Sequence, residues 1–252
     1  MRLVTWNVNS LRARLPRVLE LLEGHRPDVV CLQETKVAPE AFPTAELSDA
    51  GYSAVHHSAG RWAGVALLAR HGLSLADPTR GLEGESAVAE ARWVQASVAG
   101  LRIASVYVPN GRAPDSPAFA EKLGFLQAMR ARAGALDAIL GDFNVAPADA
   151  DVYDPVAFVG STHVTPAERL RLEAVLGQGL VDAYRVAHPD EVGYTWWDYR
   201  QGHFHRGLGL RIDLALIRAS LAPGLQSCAI DRDLRKGPRP SDHAPLLLDL
   251  DL

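Results

Sequence analysis

Short apolar runs alternate with amphipathic stretches along the whole chain. Leu3-Val4-Thr5-Trp6 reads as a strand. Between Leu11 and Glu23, the residues Leu11, Leu15, Val18, Leu19 and Leu22 fall on one helical face. Pro16 inside that stretch predicts a kink or the true first turn, and Gly24 predicts its end. Asp28-Val29-Val30-Cys31-Leu32 is apolar enough to be a strand covered on both faces. Tyr52–His57, Gly64–Ala69, Ala91–Val98 and Leu101–Val108 read as strands, the last two joined by Ala99-Gly100 as a hairpin. Helices are expected over Pro117–Arg132 and from Pro166 to about Gly177, the second opened by the capping box Thr165-Pro166-Ala167-Glu168. Asp137–Leu140, Thr195–Tyr199, Leu210–Ile217, Ser227–Asp231 and Pro245–Asp249 complete the expected strands.

This mix is not a strict strand–helix alternation, which argues against a doubly wound parallel sheet. Two sheets packed together with helices outside fit better. No linker-like tract and no internal repeat divides the chain, so residues 1–252 read as one catalytic domain. Gly111–Pro117 and Arg235–Pro240 are loops of a length common at binding sites.

Five apolar runs stop or start at a polar cluster. Val4-Thr5-Trp6 ends in Asn7 and Asn9, and Val29–Leu32 ends in Gln33-Glu34. Val106-Tyr107-Val108 ends in Pro109-Asn110, and Ala138-Ile139-Leu140 ends in Gly141-Asp142-Phe143-Asn144. Ser241-Asp242-His243 immediately precedes the last run. Strand alternation puts Asp142 and Asn144 on one face, and Gly141 allows another backbone to approach closely. Local backbone capping explains any one cluster. All five together, with a His beside an Asp, point instead to one site.

Converging carboxylates and amides suit a hard cation such as Mg²⁺, which takes oxygen ligands and often a substrate phosphate. Neither zinc spacing, nor a Gly-rich phosphate loop, nor a Gly-x-Ser-x-Gly elbow is present. Metal-assisted hydrolysis of a phosphate ester is what remains.

Charge first cuts against nucleic acid, with 26 basic and 30 acidic residues and a net charge of −4. Yet 23 of the basic residues are arginines, which suit bidentate phosphate contacts, although an arginine-biased genome accounts for this too. Two cysteines cannot form a disulfide framework, and Cys31 sits in an apolar run. With no leader-like or membrane-spanning segment, a cytoplasmic, bacterial-type protein is expected.

Six segments carry a resemblance. Trp6-Asn7-Val8-Asn9, Leu32-Gln33-Glu34-Thr35-Lys36, Tyr107-Val108-Pro109-Asn110-Gly111, Gly141-Asp142-Phe143-Asn144, Gly209-Leu210-Arg211-Ile212-Asp213 and Ser241-Asp242-His243 occur in that order. They resemble the exonuclease III family of apurinic/apyrimidinic endonucleases, within the endonuclease–exonuclease–phosphatase superfamily. The resemblance implies an α/β fold, a four-layer α/β sandwich of two mixed β-sheets face to face with helices outside. It implies Mg²⁺, with Mn²⁺ as a substitute, and Glu34 as principal metal ligand beside Asn7. Asp142 positions or deprotonates the attacking water, and Asn144 binds the scissile phosphate and approaches a metal. His243, held by Asp213, donates to a phosphate oxygen. Asp242 takes a metal or supporting role, and Tyr107 contacts the phosphate or helps the leaving oxygen.

The same resemblance assigns Trp196, Leu210 and Ile212 to a slot for a base-less sugar, although a Trp and two aliphatics also read as core. Lys36, Asn110 and Arg112 are expected to contact substrate, with Arg61-Trp62, Arg169, Arg171, His203, His205 and Arg206 as further candidates for duplex contact. The loop Arg112–Phe119 lacks a lysine frequent in the family, and His203–Leu208 departs from its more acidic version. The implied partner of this monomer is duplex DNA with abasic sites or blocked 3′ ends. The implied activities are incision 5′ to abasic sites, 3′→5′ exonuclease and 3′-phosphodiesterase or phosphatase. A phosphatase of the same superfamily acting on a non-DNA substrate is the alternative. Setting aside Glu34, Asp142, Asp213 and Asp242 leaves 26 acidic against 26 basic residues, so the net charge reads as one metal site on a balanced surface.

Overall fold

The computed structural model describes residues 1–84 and 90–252. Twelve strands, β1 to β12, form two six-stranded sheets among the described residues. The first sheet contains β1 (Arg2–Asn7), β2 (Val29–Gln33), β3 (Tyr52–His57), β4 (Val65–Arg70), β11 (Leu225–Ile230) and β12 (Leu246–Leu250). Its order is β11-β12-β1-β2-β4-β3. The second contains β5 (Ala76–Arg80), β6 (Trp93–Val98), β7 (Leu101–Tyr107), β8 (Ala138–Asp142), β9 (Leu180–Asp182) and β10 (Asp213–Arg218), in the order β5-β6-β7-β8-β10-β9. Each sheet has one parallel pair at its centre, β1 with β2 and β7 with β8, and all other pairs are antiparallel.

A parallel pair needs a crossover, and here each crossover is a helix. α1 (Leu11–His25) links β1 to β2, and α3 (Pro117–Ala133) links β7 to β8. The shorter α2 (Thr44–Asp49) lies between β2 and β3, α4 (Pro166–Leu176) between β8 and β9, and α5 (Ala183–Ala187) and α6 (His203–Arg206) between β9 and β10.

Strand alternation sorts the apolar residues into layers. Leu3, Val29, Cys31, Leu67, Ile103, Ala138, Leu140, Ala215 and Ile217 meet between the sheets. Val4, Trp6, Val30 and Leu32 face outward onto Leu11, Val18 and Leu22 of α1. Ala104, Val106, Ile139, Leu214 and Leu216 face outward onto α3 and α4. The result is the expected four-layer sandwich.

Four local expectations need correction. α1 begins at Leu11 and runs through Pro16, which is therefore not its first turn. It also runs through Gly24 and stops at Arg26, whose left-handed backbone lets its N–H bond the Leu22 carbonyl. Thr195–Tyr199 is no strand. Trp196 makes single bridges to Leu210 and His243, because its neighbours' N–H groups go to different segments: Thr195 to the Leu210 carbonyl and Trp197 to that of Asp242. Likewise β10 starts only at Asp213, since the Thr195 hydroxyl takes the N–H groups of Ile212 and Asp213.

Candidate active site

The inner-facing positions of the central strands turn from apolar to polar toward one end of the sheets. In β1 they run Leu3, Thr5, Asn7, in β7 Ile103, Ser105, Tyr107, and in β8 Ala138, Leu140, Asp142. Tyr107 pairs with Asp142, and Asp142 with Asp213, in one row across three strands. A polar tier lies just beneath: the Gln33 amide contacts Thr5 Oγ1 at 3.2 Å and Ser105 Oγ at 3.1 Å. So the site caps the inter-sheet layer at one end.

Asn7 ties the two sheets together. Its Nδ2 donates to Glu34 Oε1 at 2.8 Å and to Asp142 Oδ2 at 2.9 Å. Its oxygen accepts from the Asn9 N–H at 3.0 Å, so Asn7 turns a donor, not a ligand atom, toward the carboxylates. Glu34 leaves β2 through a left-handed turn (φ 50°), and Lys36 repeats it (φ 49°). That geometry brings Lys36 Nζ to 2.6 Å from Glu34 Oε2 and from Asn9 Oδ1.

Gly141 shows why Asp142 can sit so deep. A Cβ at Gly141 would lie 1.9 Å from the Val106 carbonyl oxygen, so only glycine lets β8 lie this close to β7. Asn144 then adopts φ 51°, and its N–H caps Asp142 Oδ1 at 2.9 Å. The two do converge, but through this turn rather than strand alternation. The Asn144 amide donates to the Val108 carbonyl at 3.0 Å and accepts from Asn110 Nδ2 at 3.2 Å.

His243 is buried, and its Nδ1 bonds Asp213 Oδ2 at 2.8 Å while Nε2 stands 3.8 Å from Asp142 Oδ2. Burial disfavours its charge, but Asp213, Asp142 and Asp242 outweigh that and raise its pKa to about 10. It is an imidazolium at neutral pH. Burial pushes Asp142 up to about 7, with Asp213 and Glu34 adding to the rise and His243 and Asn7 opposing it. Tyr107 is held well above its ordinary range by burial and by the charges of Glu34 and Asp142, so it stays a neutral donor.

Glu34, Asp142 and His243 each bring one potential ligand atom within 4.8 Å of the others. His243 Nδ1 is taken by Asp213, and the two carboxylates are the oxygen donors of this group. An all-oxygen, acidic donor set fits Mg²⁺ or Mn²⁺ rather than a thiolate-seeking ion. Asp242 is engaged otherwise: Asn9 Nδ2 and Trp196 Nε1 donate to its two oxygens at 3.0 and 3.1 Å.

Trp196, Leu210 and Ile212 do cluster, with Ala146, Val152, Phe158 and Val164. Leu210 has no exposed surface and Ile212 2%, so Trp196 is the accessible member of the three. Asp213 turns the opposite way, into the inter-sheet layer, as alternation requires. Asn110 and Arg112 are exposed beside Asn144, and Trp62 is 70% exposed on the β3–β4 loop beside exposed Arg61. Arg169 is tied to Asp149 at 2.8 Å and Arg171 is exposed, while His203, His205 and Arg206 lie on the short helix α6.

Three contributors escaped the sequence reading. Arg92 lies 4.7 Å over the Tyr107 ring, with its buried Nη1 unpaired. Arg14 donates to the Asn9 carbonyl at 2.7 Å and to the Tyr199 hydroxyl at 2.9 Å. Lys122 is entirely buried behind Asn144.

Residues 4–243 match the endonuclease/exonuclease/phosphatase family. Exodeoxyribonuclease III of Haemophilus influenzae is 31% identical, over 98% of each chain. The solved 3′ phosphatase NExo from Neisseria, bound to a product DNA hairpin, superposes with a TM-score of 0.95 at 38% identity over the whole of both chains. An AP endonuclease from Archaeoglobus fulgidus does so with a TM-score of 0.95 at 34% identity, again over both whole chains.

Proposed function

The chain belongs to the endonuclease/exonuclease/phosphatase family, beside exonuclease III and AP endonucleases, and from that membership we propose that it is a Mg²⁺-dependent DNA-repair nuclease. In this reading it hydrolyses the phosphodiester 5′ to abasic sites in duplex DNA and trims blocked 3′ ends, as exonuclease and 3′-phosphatase.

The observation that carries the reading is the facing of Asp142 and His243 across 3.8 Å, with Glu34 on the far side of Asn7. Asp142, poised near neutrality, accepts a proton from the attacking water. The His243 imidazolium presents Nε2–H to a non-bridging phosphate oxygen, and Asp213 fixes its ring. The second N–H of the Asn144 amide and the neutral Tyr107 hydroxyl add donors on the same phosphate. Glu34 would hold the metal, which would supply positive charge toward the phosphate being cleaved. Trp196, the accessible member of its cluster with buried Leu210 and Ile212, stacks the base-less or terminal sugar.

One duplex with a tetrahydrofuran abasic analogue and one with a 3′-phosphate test this, each in Mg²⁺ and in excess chelator. Incision 5′ to the lesion and phosphate release, both only in Mg²⁺, are expected. Phosphate release without incision removes the abasic half of the reading, and inertness on both removes all of it.

A further inference from the structure

Lys122, on the second turn of α3, has no exposed surface, which is rare for a lysine. The hydrolytic chemistry above makes no use of it. Its Nζ reaches the backbone carbonyl of Asn144 at 2.6 Å, that of Asn110 at 3.1 Å and Thr162 Oγ1 at 3.1 Å. It also pairs with Glu168, which is equally buried. Glu168 accepts from the His163 N–H and Thr162 Oγ1, both at 2.9 Å, and from the Thr165 N–H and hydroxyl of the α4 capping box. The lysine stem supports the same loop: a Cβ at Gly111 would lie 2.9 Å from Lys122 Cδ and 3.0 Å from Thr162 Oγ1.

A buried ion pair is a poor source of stability compared with an apolar pair of similar volume. What sets this one apart is where the ammonium points. Both carbonyls it holds belong to residues whose side-chain amides are bonded to each other at the site mouth. Asn144 sits in the left-handed region, which asparagine tolerates better than most residues, and this bend sets where its amide points. His163 Nδ1 lies 2.6 Å from the same Asn144 carbonyl.

We propose that Lys122, with Glu168 as counter-ion, is a positioning residue that clamps the Asn110 and Asn144 backbones from behind and so aims their amides at the scissile phosphate. This rests on the nuclease reading above. It makes the α4 N-terminus, through its capping residue Glu168, a strut of the catalytic end.

The test is the charge-neutral pair Lys122→Met/Glu168→Gln, in which the introduced glutamine amide preserves the capping box. On whichever DNA substrate the wild type cleaves, kcat falls at least tenfold while DNA Kd changes less than threefold. In an Asn110→Ala/Asn144→Ala background the same pair of changes costs less than twofold, because the clamp then has nothing to aim. An equal loss in both backgrounds, or unchanged kcat in the first, overturns the proposal. Should the paired variant not fold, Thr162→Val in wild-type and Asn110→Ala backgrounds replaces it. A roughly threefold loss in the first background alone is expected, and no loss overturns the proposal. The side-chain amide NMR signals of Asn110 and Asn144 shift in the paired variant with other signals unmoved. Unshifted amides overturn the clamp even if the wild type cleaves nothing, whereas a wild type inert on DNA removes the nuclease reading.

Discussion

The two sheets follow one plan to different ends. Each has a parallel pair at its centre, joined by a helix, and each pair delivers one carboxylate to the site. Glu34, after β2, leaves its strand by a left-handed turn, is half-buried and is gripped by Lys36. Asp142 is the last residue of β8, is 1% exposed, pairs in register with Asp213 and faces His243 Nε2. One plan thus yields an accessible carboxylate with a lysine and a buried one with a raised pKa. Environment sorts the pair into a metal-holding group and a proton-handling group.

Asp142→Asn should break the arrangement most. It lowers kcat by roughly three decades, in the range for losing a general base, while Mn²⁺ affinity read by EPR falls less than tenfold. Glu34→Gln should cost roughly two decades, part of which returns as Mg²⁺ is raised. Losses of the same size, with neither rescued by metal, would abolish the division of labour.

Stability probes the buried side alone. The pKa of His243 is raised from 6.5 to about 10 in the folded protein, so its contribution is complete below about pH 6.5 and is lost as pH rises through 10. In chelator, His243→Gln should therefore lie about 3 kcal/mol below wild type at pH 6, the cost of breaking a buried pair. The gap should close by pH 10.5 in urea titrations, and a gap that stays constant with pH would show that His243 is neutral. The smallest effect is expected at the rim: Trp196→Ala should reduce discrimination between abasic and intact duplex by roughly tenfold. Unchanged discrimination would return Trp196 to a packing role.

How much was legible in advance follows from what kind of signal each residue carries. The apolar period located β1, β2, β6, β7 and β8 and the helices α1, α3 and α4, because their burial repeats at fixed spacing. β5 is exposed throughout and β9 is three residues long, so neither leaves a pattern. Asn7, Glu34, Asp142, Asp213 and His243 were visible as polar residues at strand ends, where alternation breaks off. Lys122 and Glu168 were not, because a helix pattern cannot tell a lysine facing solvent from one turned inward to meet a partner 46 residues away. Thr195–Tyr199 misled because Trp and Tyr favour strands, whereas its N–H groups are shared between two neighbours.

Asn7, Tyr107, Asp142 and Asp213 all occupy inner-facing positions, and that parity governs which lengths can change. Adding one residue within β1, β7, β8 or β10 would turn its polar group outward onto a helix and an apolar residue into the site. Adding residues beyond the strand ends leaves every parity intact. Changes of length are therefore expected to be milder in the 58–63, 112–115 and 236–240 loops than within β1, β7, β8 or β10. The geometry of catalysis is counted out in twos along the chain, while the surface that meets substrate is free to change length.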